Sequence, residues 1–138
     1  MNQRIFDRVI EAARALKPRV QSGKSHHVSA LIYKSKIVCL ATNDYRKMHN
    51  EKKFGKYQNW KGFNGEYRPC IHSEIKIITK WGEEDLSDHE FVNVRIDNKG
   101  NPNIARACPN CARVLIGFSP KRVFYSDENG QLQQDERF

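Results

Sequence analysis

The chain has 138 residues, 38% hydrophobic and 29% charged, with a formal net charge of +8. That length suits one compact domain with a real core, and the composition excludes a disordered chain. No apolar run approaches the roughly 20 residues that span a bilayer, and charged Arg4, Asp7 and Arg8 exclude a secretory signal, so a cytoplasmic protein without a membrane partner is expected.

Ile5, Phe6, Val9, Ile10, Ala13 and Leu16 recur at helical spacing, which predicts an amphipathic helix ended by Pro18. Gly23-Lys24-Ser25 is not a phosphate-binding loop, because proline stands at position 18 where that motif needs its first glycine. Val28–Tyr33 and Ile37–Thr42 read as strands joined by a tight turn at Lys34-Ser35. Periodicity then lapses from Asp44 to Cys70. This stretch holds seven Lys and Arg residues against three acids, with six aromatics between them.

Ile75, Ile77, Ile78 and Trp81 predict a short helix stopped by Gly82. Phe91–Ile96 alternates as a strand, and residues 98–102 read as a turn. A further helix is expected to start after Cys108 and end near Gly117. Arg122–Ser126 predicts a strand, with Asn129-Gly130 turning the chain into a last strand over Gln131–Glu136. Helices interleaved with five strands imply a mixed sheet covered on both faces, an α/β protein. Only Asp127–Gly130 separates the last two strands, too little for a crossover, so they should form an antiparallel hairpin.

The chemistry concentrates in two segments, His72-Ser73-Glu74 and Cys108-Pro109-Asn110-Cys111, each opening a helix. Residues three apart share a helical face, so both sulfurs can point at a common atom. Pro109 suits the first helical position, and the helix N-terminus favours thiolates. Two Cys and one His make a catalytic zinc site when the fourth position holds water. Glu74 sits beside such a site and is free to act as a proton shuttle.

These two segments, with the order of helices and strands, resemble the cytidine deaminase-like superfamily over nearly the whole chain. The resemblance implies a three-layer α/β/α fold over residues 1–138, with a mixed five-stranded sheet. It implies Zn²⁺ on His72, Cys108 and Cys111, and Glu74 as the catalytic proton carrier. Asn43 matches the residue that hydrogen-bonds the sugar, and the backbone at Ser73 and Ala107 would bracket the reacting amino group. Ala107 stands where the family usually has proline, and Pro109 follows the cysteine instead. An antiparallel ending resembles free-nucleoside cytidine deaminases and toxin-like deaminases. The parallel branch holds the tRNA adenosine, deoxycytidylate and polynucleotide cytidine deaminases. Relatives often form dimers or tetramers.

The expected reaction is hydrolysis of a cytosine amino group on a free nucleoside or nucleotide. The basic, aromatic stretch suits a phosphate or a single-stranded nucleic acid as well. Two other readings use the same cysteines. Cys70, two residues before His72, could close a structural Cys₃His site in a non-catalytic nucleic-acid-binding module. Cys108 and Cys111 could instead form a redox pair. Cys39 reads as a buried apolar residue, and His26, His27, His49 and His89 as solvated or structural.

Overall fold

A computed structural model describes residues 1–16, 26–43 and 72–138. The segment 44–70, with its basic and aromatic residues, Cys70 and His49, therefore lies outside the described residues, as do Pro18 and the Gly23-Lys24-Ser25 triplet. In chain order the elements are α1 (Gln3–Leu16), β1 (His26–Tyr33), β2 (Lys36–Thr42), α2 (Ser73–Trp81), β3 (Glu90–Ile96), β4 (Pro102–Asn103), α3 (Pro109–Gly117), β5 (Arg122–Ser126) and β6 (Leu132–Gln134).

The strands form one open mixed sheet in the order β2-β1-β3-β5-β6, with β4 attached to β3. The pairs β2–β1, β1–β3 and β5–β6 are antiparallel, whereas β3 and β5 run parallel with α3 in the crossover between them. The final hairpin is thus as expected. The sixth strand is a difference from the five expected. Asp97 Oδ1 accepts from the backbone of Lys99 and Asn101, and Gly100 turns at φ +82°, which folds the chain back on β3. Pro102 can then sit on this short outer strand, where its missing N–H leaves no gap in an interior ladder.

Side-chain alternation divides the core into two layers. Phe6, Val9 and Ala13 of α1 are fully buried against Val28, Ala30 and Ile32 of β1 and Val92 and Val94 of β3. The other face presents Leu31, Phe91 and Val123 to Ile75 and Ile78 of α2 and to Val114 and Leu115 of α3. Cys39 and Cys111 belong to this second layer. The result is α/β/α. Each large apolar side chain taken out of water stabilises it by about 1.5–3 kcal/mol. Because α2 and α3 share one face, their N-termini can meet over the sheet.

Candidate active site

The two helices start at the residues that carry the chemistry. His72 is the N-cap of α2, with extended backbone at φ −66° and ψ 148°, and Gly82 closes the helix in the left-handed conformation. Cys108 is the N-cap of α3, with Pro109 in the first turn, and its Sγ accepts from the backbone N–H of Cys111 at 3.4 Å. A thiolate there meets the positive end of the helix.

The structure brings the three expected ligands together. His72 Nδ1 lies 3.2 Å from Cys111 Sγ and 3.6 Å from Cys108 Sγ. All three ligand atoms fall within 4.8 Å of one another, and they are the one such group among the described residues. Zinc bonds of about 2.05 Å to nitrogen and 2.3 Å to sulfur at a tetrahedral angle would place these atoms about 3.6 Å apart. The donor set and its spacing therefore fit zinc. Cys111 is fully buried, whereas His72 and Cys108 are partly exposed.

The thiols differ sharply. A hydrogen bond from the Cys111 thiol outweighs burial and, with His72, brings the Cys108 pKa down to about 4. Burial above all, with the neighbouring Cys108 and Glu74, pushes the Cys111 thiol well up. Burial also opposes the charge on His72, but hydrogen bonding to Cys108 and the Glu74 and Cys108 charges prevail and raise it. A metal bound here would replace these protons, because zinc takes thiolates and a neutral imidazole as ligands.

Glu74 is buried in the first turn of α2, within hydrogen-bonding reach of the Cys111 thiol. Ser73 Oγ donates to its Oε1 at 2.8 Å. Ser73 itself is buried, and its hydroxyl also meets Ser29 Oγ at 2.8 Å. Asn43 follows β2, where its Oδ1 accepts from the His27 N–H at 3.1 Å and so holds the start of β1. The carbonyl of Ala107 accepts from Arg137 Nη2 at 2.8 Å, which leaves its second lone pair for another donor.

Among the described residues, His26 and His89 are structural rather than solvated. His26 is fully buried with Nε2 against the Ala13 carbonyl at 2.8 Å, and His89 is buried between Tyr33 and Trp81. Ser29, Asn93, Asp135 and Arg137 border the site without having been singled out from the sequence. A polar residue at the inward-facing parity of an apolar strand is the one signal that marks Ser29 and Asn93. Nothing comparable marks Asp135 or Arg137.

No protein-family model and no curated protein matches the sequence. Solved structures do. A dCMP deaminase from the cyanophage S-TIM5, in complex with dCMP and dUMP, aligns at TM-score 0.56 and 16% identity over 92% of this chain and 84% of its own. The apo form of that enzyme aligns at TM-score 0.58 and 14% identity over 92% and 86%. The chain shares the fold of these proteins, a mixed sheet with helices on both faces.

Proposed function

We propose that the protein is a zinc-dependent hydrolytic deaminase that converts the amino group of a cytosine nucleoside or nucleotide to a carbonyl. One observation carries this reading: a His-Cys-Cys cluster of zinc-binding geometry has a buried carboxylate beside it, on a fold shared with deaminases. His72, Cys108 and Cys111 would hold the metal. Zinc held there would supply Lewis acidity, which brings the pKa of water down to roughly 7 and so would make a nucleophile available at neutral pH.

The protein's own residues handle the protons. Glu74 takes one proton of the attacking water and delivers it to the ring nitrogen, then takes the remaining hydroxyl proton of the adduct and delivers it to the amino group, which leaves as ammonia. Burial suits the task, because a carboxylate shielded from bulk water exchanges protons with the substrate rather than with solvent. Ser73 holds Oε1 and so fixes which way the carboxylate faces. The backbone at Ser73 and Ala107 would bracket the amino group, with Asn43 placed toward the sugar.

Two supports for the substrate point in different directions. The antiparallel β5–β6 ending fits the free-nucleoside branch of the resemblance. The two structural neighbours described above are dCMP deaminases, one of them in complex with dCMP and dUMP. The proposal therefore covers both nucleoside and monophosphate. The basic excess of residues 44–70 favours one second reading, a cytosine base within single-stranded DNA or RNA.

Ammonia release from cytidine, deoxycytidine, their monophosphates and single-stranded DNA and RNA tests the reading directly. Zinc-loaded protein should turn over at least one of them. Glu74→Gln should keep fold and zinc yet lose at least about 10²–10⁴-fold in turnover, the usual worth of a positioned proton carrier. Failure on every substrate, or near-normal turnover in zinc-replete Glu74→Gln, overturns it.

A further inference from the structure

Beneath Glu74 the sheet carries two buried polar side chains on strands that supply no metal ligand. Ser29 of β1 and Asn93 of β3 are register partners on the face that packs against α2 and α3. Ser29 is fully buried, and Asn93 is 2% exposed. Ser29 Oγ lies 2.6 Å from Asn93 Oδ1 and 2.8 Å from Ser73 Oγ. Ser73 lies 2.8 Å from Glu74 Oε1. A continuous chain of short contacts thus runs from the middle of the sheet to the carboxylate beside the ligand cluster.

The hydrogens of this chain can be counted. Its three contacts need three hydrogens, and the two serine hydroxyls supply only two. Glu74 Oε1 accepts from Ser73 and supplies none. The missing hydrogen is available on Asn93, whose Nδ2 is buried and has no hydrogen-bond partner among the described residues. A half-turn of the carboxamide exchanges its oxygen and nitrogen at nearly equal size, and hydrogen-bond networks decide between the two orientations. With Nδ2 toward Ser29, every bond runs one way: Asn93 donates to Ser29, Ser29 to Ser73, and Ser73 to Glu74.

Such a chain is costly where it lies. Hydroxyls and an amide in the centre of an apolar sheet are worth keeping only when each is hydrogen-bonded, and alanine or valine would pack there without that demand. The chain's effect is on orientation. Were Ser29 unable to donate to Ser73, the Ser73 hydrogen could turn toward Ser29 and release Glu74 Oε1.

We infer that Ser29 and Asn93 are positioning residues for Glu74, acting through Ser73 to hold the carboxylate in one orientation beside Cys111. The kinetic part of this inference rests on the deaminase reading, but the hydrogen-bond chain does not. In zinc-loaded Ser29→Ala the kcat should fall about tenfold, as for part of a hydrogen bond to a charged group, with KM little changed. Ser29→Thr keeps a hydroxyl and should restore most of the loss. Adding Ser29→Ala to Glu74→Gln should cost nothing more, because the chain acts only through that carboxylate. Wild-type kcat in Ser29→Ala, or an equal fractional loss in the Glu74→Gln background, overturns the positioning role.

The second measurement needs no substrate. The side-chain NH₂ signals of Asn93, followed by NMR in ¹⁵N-labelled protein, should move in Ser29→Ala and also in Glu74→Gln. Signals unmoved by both overturn the chain even in an active enzyme. Signals that move in a zinc-loaded protein inactive on every cytosine substrate sustain the chain and sink the deaminase reading alone.

Discussion

Arg137 donates to the carbonyl of Ala107, the residue before Cys108, and so ties residue 137 to the segment that enters α3. The guanidinium is itself held by Asp135, which is 1% exposed and accepts from Arg137 Nε, Nη2 and backbone N–H. Arg106 adds a longer ion pair at 3.6 Å. Burial alone would raise the Asp135 pKa, but the Arg137 hydrogen bonds and the two positive charges lower it. Arg137→Ala should destabilise the protein by about 1–2 kcal/mol, because it removes charge-assisted bonds from a buried carboxylate while water reaches part of the gap. Arg137→Lys should recover only part, since an ammonium cannot make the forked contact. Urea midpoints of the three proteins check this, and an unchanged midpoint in Arg137→Ala would rule the clamp out.

His27 predicts an acid weakness. Burial above all, with the charges of Arg95, His72 and His26, lowers its pKa from 6.5 to about 4. The folded protein therefore keeps His27 neutral where the unfolded chain takes up a proton. Below pH 6.5 the unfolded state binds more protons, so stability falls as pH drops from about 6.5 to about 4 and this contribution is then exhausted. It is fully present above pH 6.5. His27→Gln should flatten that limb. The comparison is made on zinc-free protein, so that proton competition at the metal ligands does not add to the slope. Parallel loss of stability in both proteins between pH 7 and pH 4 would count against it.

The clustering of His72, Cys108 and Cys111 is legible in the sequence because metal chemistry accepts few residue types, and i, i+3 spacing at a helix start leaves little freedom in where they point. The limits of β5 are legible for a similar reason, since Arg122–Ser126 lies between clear breakers. Ser29 and Asn93 are not. A polar residue inside an apolar strand has no visible partner until the register of β1 on β3 is known, and that register is a long-range fact. The last strand is misjudged in length, extending in sequence to Glu136 but in the structure only to Gln134. Asp135 ends it by drawing the Arg137 N–H back to its own carboxylate, a local turn that competes with the ladder.

The metal assignment makes its own prediction about Cys70, which lies outside the described residues. A catalytic site needs only His72, Cys108 and Cys111, so Cys70→Ser should leave zinc content unchanged. Cys108→Ser should release most of the metal, because a hydroxyl is a poor substitute for a thiolate at a borderline-soft ion. Zinc content by mass spectrometry of purified variants separates the cases. If Cys70→Ser loses metal as readily as Cys108→Ser, the site is a closed Cys₃His structure and the mechanism fails.

Residues 44–70 are expected to choose the substrate through charge. Their excess of Lys and Arg cannot act on the ring, but it can hold phosphate. An enzyme working on nucleic acid meets several phosphates, so its affinity should fall steeply with salt, with a slope of about −0.7 per phosphate for a single strand. A monophosphate enzyme should respond far less, and a nucleoside enzyme scarcely at all. Neutralising Lys52, Lys53 and Lys56 together sharpens the contrast. For a nucleic-acid substrate the salt slope should flatten and KM should rise. For an uncharged nucleoside, neither kcat nor KM should move much, because nothing on that substrate answers to the lysines. The two substrates are compared with wild type and triple variant across a salt series, at matched zinc content and with folding checked by circular dichroism. Equal losses on charged and uncharged substrates would mean that the segment shapes the pocket instead of reading phosphate, and the expectation drawn from its charge would be wrong.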